Sequence, residues 1–169
     1  LPTRSHDRKV LVLRNCVQGS MLPSIEAATA RVLDAIGVQV ITAPGSGCCG
    51  AIRQHLDDHE GAQNNIRRNI DAWWPYIETK QIEAIVINAS GCGATVKEYA
   101  HLLRDDPAYA GNAQRIVELT RDLAEFLAES LPRVSCLPSS KFTGQAFYRA
   151  AQGVTDEQLE AAQIALSHG

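Results

Sequence analysis

IEAIVIN, residues 82–88, is the stretch that decides the fold. Apolar residues occupy consecutive positions from Ala84 to Ile87, so both faces of the extended chain are apolar. A strand apolar on both faces is covered on both, which is the pattern of parallel sheets flanked by helices. The neighbouring segments fit. Upstream, residues 60–78 place Ala62, Ile66, Ile70, Trp73 and Ile77 on one helical stripe. Before them come a short helix over 51–57 and a second strand over 38–42. Residues 24–36 carry Ile25, Ala28, Val32, Leu33 and Ile36 on one face, with Ser24 expected as N-cap and Gly37 as the C′ stop. KVLVLR, residues 9–14, is the first strand. Downstream, a helix is expected over 93–103, with Val96, Tyr99, Ala100 and Leu103 on one side. After a break at Asp105-Asp106-Pro107, helical segments follow over 107–118 and 121–130. Alternation of strands and helices gives an α/β fold, a three-layer open parallel sheet with helices on both faces.

Residues 8–131 form one domain in this reading. Residues 132–169 are a divergent tail without clear periodicity, ending in a candidate helix over 155–169. The whole chain of 169 residues has the length of a single domain, and its 45% apolar and 21% charged residues are those of an ordinary globular protein. A formal charge of −3 and the lack of a basic stripe argue against a nucleic-acid partner. No apolar run approaches the roughly 20 residues that span a bilayer. The first residues, LPTRSHDRKV, lack an apolar signal region and a starting Met, and read as an internal cut or a processed end. No internal repeat or low-complexity tract is visible.

The five cysteines stand at 16, 48, 49, 92 and 136. An odd number in a chain of this size points away from a secreted disulfide scaffold and toward a reducing cytoplasmic setting. Their placement follows the strands. Cys16 lies just beyond the first, Cys48 and Cys49 lie in the loop GSGCCG after the second, and Cys92 lies in NASGCGA after the third. In an open parallel sheet these loops share the edge where ligands collect. The intervals between them suit one return crossover each. Adjacent side chains on an extended chain diverge, so Cys48 and Cys49 can share a target only if the backbone bends, which glycine permits. Each cysteine also stands near an expected helix start, where partial positive charge favours thiolate. Four thiols so arranged suit an iron–sulfur or a zinc site.

Other features have plainer readings. Cys136, in the tail, is an unrelated thiol. His55 and His59 are spaced i, i+4 and one could join a mixed site, but the acidic residues beside them favour a solvent-facing turn. Trp73 and Trp74 read as packing. Cys92 has no spaced His/Asp pair to make it a nucleophile. Thiol–disulfide exchange ranks last, because adjacent cysteines form only a strained small ring.

Cys16, then Cys48-Cys49-Gly50, then Cys92 resembles the cysteine-rich CCG domain, found in heterodisulfide reductases and in lactate-utilisation and glycolate oxidase iron–sulfur proteins. The phrases NCVQGSMLPSIEAATARVLDAIGV, APGSGCCGAIRQHLDDHEGAQNNIRRNIDAWWP and VINASGCGATVKEYAHLLRDDPAYA closely resemble the glycolate oxidase type. The likeness runs from about Lys9 to about Leu127. It implies a Rossmann-like half of a CCG domain pair and a cluster, [4Fe–4S], held by Cys16, Cys48, Cys49 and Cys92. It also implies flavin-containing partner subunits that oxidise glycolate to glyoxylate, and electrons passed on toward a quinone pool. A cytoplasmic protein, peripheral on the inner face of the membrane, follows, with no catalytic residue of its own for substrate oxidation. The chain departs from the family pattern in lacking a ferredoxin-like CxxCxxCxxxCP run, in having a single CCG block, and in carrying Thr95 where the pattern has a second cysteine three residues after Cys92. A zinc-stabilised docking module without a redox role is the alternative.

Overall fold

The structure, a computed structural model, describes residues 5–130. Cys136 and the expected terminal helix lie outside these residues.

Four strands make one parallel sheet in the order β2-β1-β3-β4, with β1 at Arg8–Val12, β2 at Val38–Ile41, β3 at Ala84–Ile87 and β4 at Thr120–Asp122. Val10 pairs with Val40 on one side and with Ala84 on the other, and Val86 pairs with Arg121. The chain leaves β1 toward β2 and then crosses back to β3, so β1 and β3 flank the switch point of a doubly wound sheet.

The side chains of β1 and β3 alternate between two cores, as the two-residue strand period requires. Leu11, Leu13, Ile85 and Ile87 pack on one face with α4 (His59–Glu78), α5 (Ser90–Lys97) and α7 (Ala110–Leu119). Val10, Val12, Ala84 and Val86 pack on the other with Leu33 and Ile36 at the end of α2 (Pro23–Ala35) and Phe126 of α8 (Leu123–Ser130). The three-layer reading therefore holds. All five expected stripe residues of α4 are buried, and Asp58 caps this helix by accepting the Gly61 N–H at 3.0 Å. Gly37 takes φ +76° beyond α2, the left-handed stop expected of it.

Several boundaries differ from the sequence expectation. Ser24 is not the N-cap of α2. Leu22 holds that position and Pro23 opens the helix, where its fixed φ and missing N–H carry no penalty. A short helix, α1 (Cys16–Met21), precedes it. The helix α3 (Ala51–His55) stops before Asp57, which sits at φ +63°. The segment expected over 93–103 starts earlier, at Ser90, and divides at Glu98 into α5 and α6 (Tyr99–Leu102). Thr120–Asp122 is a strand rather than a helix start: three residues are too few to show a period, and two of the three are charged at the sheet edge.

Candidate metal centre

The cysteines meet at the carboxyl edge of the sheet. After β1 the chain runs through Asn15 into α1, making Cys16 the first helical residue. After β2 the loop 42–50 carries Cys48 and Cys49. After β3 the chain turns at Ala89 into α5, placing Cys92 in its first turn. All four thiols line one cleft of about 460 Å³, together with Asn15, Gln18 and His55. They stand as two pairs. Cys16 Sγ lies 3.3 Å from Cys48 Sγ, and the Cys49 and Cys92 thiols neighbour each other closely enough to shift one another's titration. Cys16 is exposed, Cys48 and Cys92 are half-buried, and Cys49 is buried.

The electrostatics depart from the expectation that helix ends would favour thiolate throughout. Burial, then the neighbouring Cys48 thiol, pushes Cys16 up. The contact with Cys92, then burial, pushes Cys49 well above the ordinary thiol range. Cys92 is lowered, chiefly by accepting from Cys49. Crowded thiols in a partly dry cleft resist collective ionisation unless a cation offsets the charge.

Two side chains hold the loop from beneath. Asn69, fully buried in α4, accepts the Gly47 N–H at 2.8 Å and donates to the Cys48 carbonyl at 3.0 Å and to Tyr99 Oη at 3.1 Å. Tyr99, also fully buried, donates to the Cys49 carbonyl at 2.9 Å. Its ring stacks on Trp73 with centroids 6.3 Å apart. Gly50 adopts φ +95°, and a Cβ there would stand 3.2 Å from the Ala62 carbonyl oxygen, so any other residue is strained at this turn. A second polar set ties the edge at the switch point. Asn15 and Gln18 donate to Asn88 Oδ1 at 2.7 and 2.9 Å, while Asn88 donates to Thr29 Oγ1 at 2.8 Å.

His55 lines the cleft, whereas His59 pairs with Asp57 at 2.9 Å, both exposed. Thr95 is buried and donates to the Gly91 carbonyl at 3.0 Å within α5. Sequence reasoning missed Asn69, whose signal was its place as a polar residue inside the apolar stripe between Ile66 and Ile70. It also missed the apolar rim. Val17, Met21 and Leu22 around α1, and Ile52 in α3, are exposed yet line the thiol cleft.

The donor set suits a soft metal or an iron–sulfur group in its chemistry. Among the described residues no three Cys, His, Asp or Glu side chains are already gathered as a metal site. The Cys16–Cys48 pair is nonetheless close to metal spacing: two thiolates at about 2.3 Å from one tetrahedral metal stand about 3.8 Å apart, so this 3.3 Å contact needs only a small opening.

A doubly wound α/β domain with cysteines from three loops at its carboxyl edge is a cysteine-rich domain of defined type. The family model of the cysteine-rich CCG domain matches residues 10–97, and the chain belongs to that family. It is similar to the glycolate oxidase iron-sulfur subunit of Escherichia coli (strain K12), 49% identical over 128 residues, covering 76% of this chain and 31% of that protein. The probable glycolate oxidase iron-sulfur subunit of Bacillus subtilis (strain 168) is 30% identical over 122 residues, 72% of this chain and 27% of its own. Lactate utilization protein A of Bacillus velezensis is 28% identical over 123 residues, 73% of this chain and 49% of its own. The chain thus spans between about a quarter and a half of these relatives' lengths. No solved structure matches.

Proposed function

We propose that residues 8–131 form an electron-transfer domain in which Cys16, Cys48, Cys49 and Cys92 hold an iron–sulfur cluster, [4Fe–4S], as part of a glycolate-oxidising complex. The observation that carries this reading is the convergence of thiols from three separate loops on one cleft, supported by the likeness to the Escherichia coli subunit. Such a cluster, when bound, supplies one-electron transfer. The chain's residues do the rest. The thiols provide soft donors, Asn69 and Tyr99 hold the central loop, and Val17, Met21, Leu22 and Ile52 form an apolar rim around the sulfurs. An apolar rim also gives a partner subunit a surface to approach. Flavin-containing subunits would deliver the electrons, and a quinone pool would receive them. Substrate oxidation belongs to those subunits, and no residue of this chain is assigned to it. A cytoplasmic protein, peripheral on the inner face of the membrane, fits this role, and no helix among the described residues is long and apolar enough to cross a bilayer.

The near-tetrahedral spacing of the Cys16–Cys48 pair favours one second reading, a zinc-stabilised docking module. Anaerobic titration with dithionite separates the two. The electron-transfer reading expects visible absorbance that bleaches on reduction and returns with a quinone analogue. A chain that holds zinc, shows no such band and loses its fold on chelation overturns it.

A further inference from the structure

We infer that Asn69 and Tyr99 are positioning residues that set the direction of the two adjacent thiols, an inference that rests on the reading of the four cysteines as one site. Successive carbonyls of an extended chain point to opposite sides, as do successive side chains. Here the consecutive carbonyls of Cys48 and Cys49 are both held by one contiguous pair of side chains, at 3.0 Å from Asn69 and 2.9 Å from Tyr99. The backbone therefore bends between them, and Gly50 at φ +95° completes the turn. The bend keeps both neighbouring thiols on the one cleft, where Cys48 meets Cys16 at 3.3 Å and Cys49 lies beside Cys92.

The hydrogen-bond directions leave no freedom. The Gly47 N–H must meet Asn69 Oδ1, which turns the Asn69 amide nitrogen toward Cys48 and Tyr99. One amide proton serves each. Tyr99 accepts from Asn69, so its single hydroxyl proton goes to Cys49. Both side chains are fully buried and come from α4 and the start of α6, two helices that pack on the same sheet face. The loop's geometry is thus held by the core rather than by a metal, and the donors are oriented before one arrives.

Tyr99→Phe tests this in the full chain, because it removes one hydroxyl and keeps the ring stacked on Trp73. In the reduced chain stripped of metal, N-ethylmaleimide labelling is mapped cysteine by cysteine by mass spectrometry. Loss of one buried hydrogen bond is expected to raise Cys49 labelling about tenfold, with little change at Cys16. Asn69→Asp keeps the acceptor for Gly47 but removes the donor to Cys48, and should free Cys48 and Cys49 together. Tyr109→Phe, whose hydroxyl meets Asp71 instead, is the control and should change neither. In the iron-loaded chain, Tyr99→Phe should retain iron while its reduction potential shifts. Unchanged Cys49 labelling in both variants overturns the inference. A uniform rise at all four thiols, from general loosening, overturns it too. If the wild-type chain takes up neither iron nor zinc, the cluster reading falls, while the labelling still decides the role of Asn69 and Tyr99.

Discussion

β1 and β3 end in opposite chemistries. At their amino ends the edge is closed by charge. Arg8 pairs with Glu83 at 2.8 Å, donates to Ser130 Oγ at 2.9 Å and lies over the Phe126 ring at 5.6 Å, while His6 meets Asp34 at 2.8 Å. At their carboxyl ends four thiols line a cleft with an apolar rim, with Cys16 against Cys48 and Cys49 beside Cys92. The same two strands thus have one edge that ties β1, β3 and α8 together and another that presents donors. The difference follows from the parallel sheet. Every crossover helix must begin at the carboxyl edge, so loops that bend sharply accumulate there.

If the two edges do separate jobs, variants at each should fail differently. The largest effect is expected at the thiols. Cys16→Ser and Cys92→Ser should each lower bound metal at least about tenfold, as much as Cys48→Ser does, since removing a ligand costs no less than removing its support. Elemental analysis of the loaded chains checks this, and loss confined to Cys48 would break the four-thiol site. Gly50→Ala comes next. Its left-handed backbone and the close Ala62 carbonyl should cost about 2 kcal/mol in urea unfolding, with metal uptake reduced in the fraction that folds. At the opposite edge Arg8→Ala should cost about 1 kcal/mol and leave metal content unchanged; a fall in metal would show that the edges are coupled.

The smallest effect concerns pH. Asp106 and Glu125 titrate below the ordinary carboxylate range because Arg67 and Lys97 hydrogen-bond their charged forms. Groups lowered in the folded state stabilise it above the unfolded pKa and lose that contribution as the pH falls through the folded value. The stability of the metal-free chain should therefore start to fall as the pH drops into the normal carboxylate range and keep falling down to the lowered folded values, and Arg67→Ala should flatten that dependence slightly.

Much of this was legible in the sequence. The apolar run at Ala84–Ile87 and the stripe Ile66, Ile70, Trp73 and Ile77 gave the layers, because burial on both faces of a strand and one face of a helix leaves a strong periodic signal. The shared edge of Cys16, Cys48, Cys49 and Cys92 followed from their positions after successive strands. What escaped was short or long-range. Thr120–Asp122 is too brief to show a period. The α1 turn at Cys16–Met21 lacks an apolar stripe, and its Val17 and Met21 are exposed. Pro23 rather than Ser24 opens α2 because a proline at the first turn competes well with a side-chain cap. The pairing of the thiols, and the grip of Asn69 and Tyr99 on their loop, depend on contacts 21 to 50 residues apart that no local pattern encodes.

The most direct measurement is iron and acid-labile sulfide per chain after anaerobic purification, with zinc counted in the same sample. A four-thiol cluster site predicts brown protein with iron and sulfide in equal amounts and little zinc. A folded, colourless chain without iron or sulfide would contradict it.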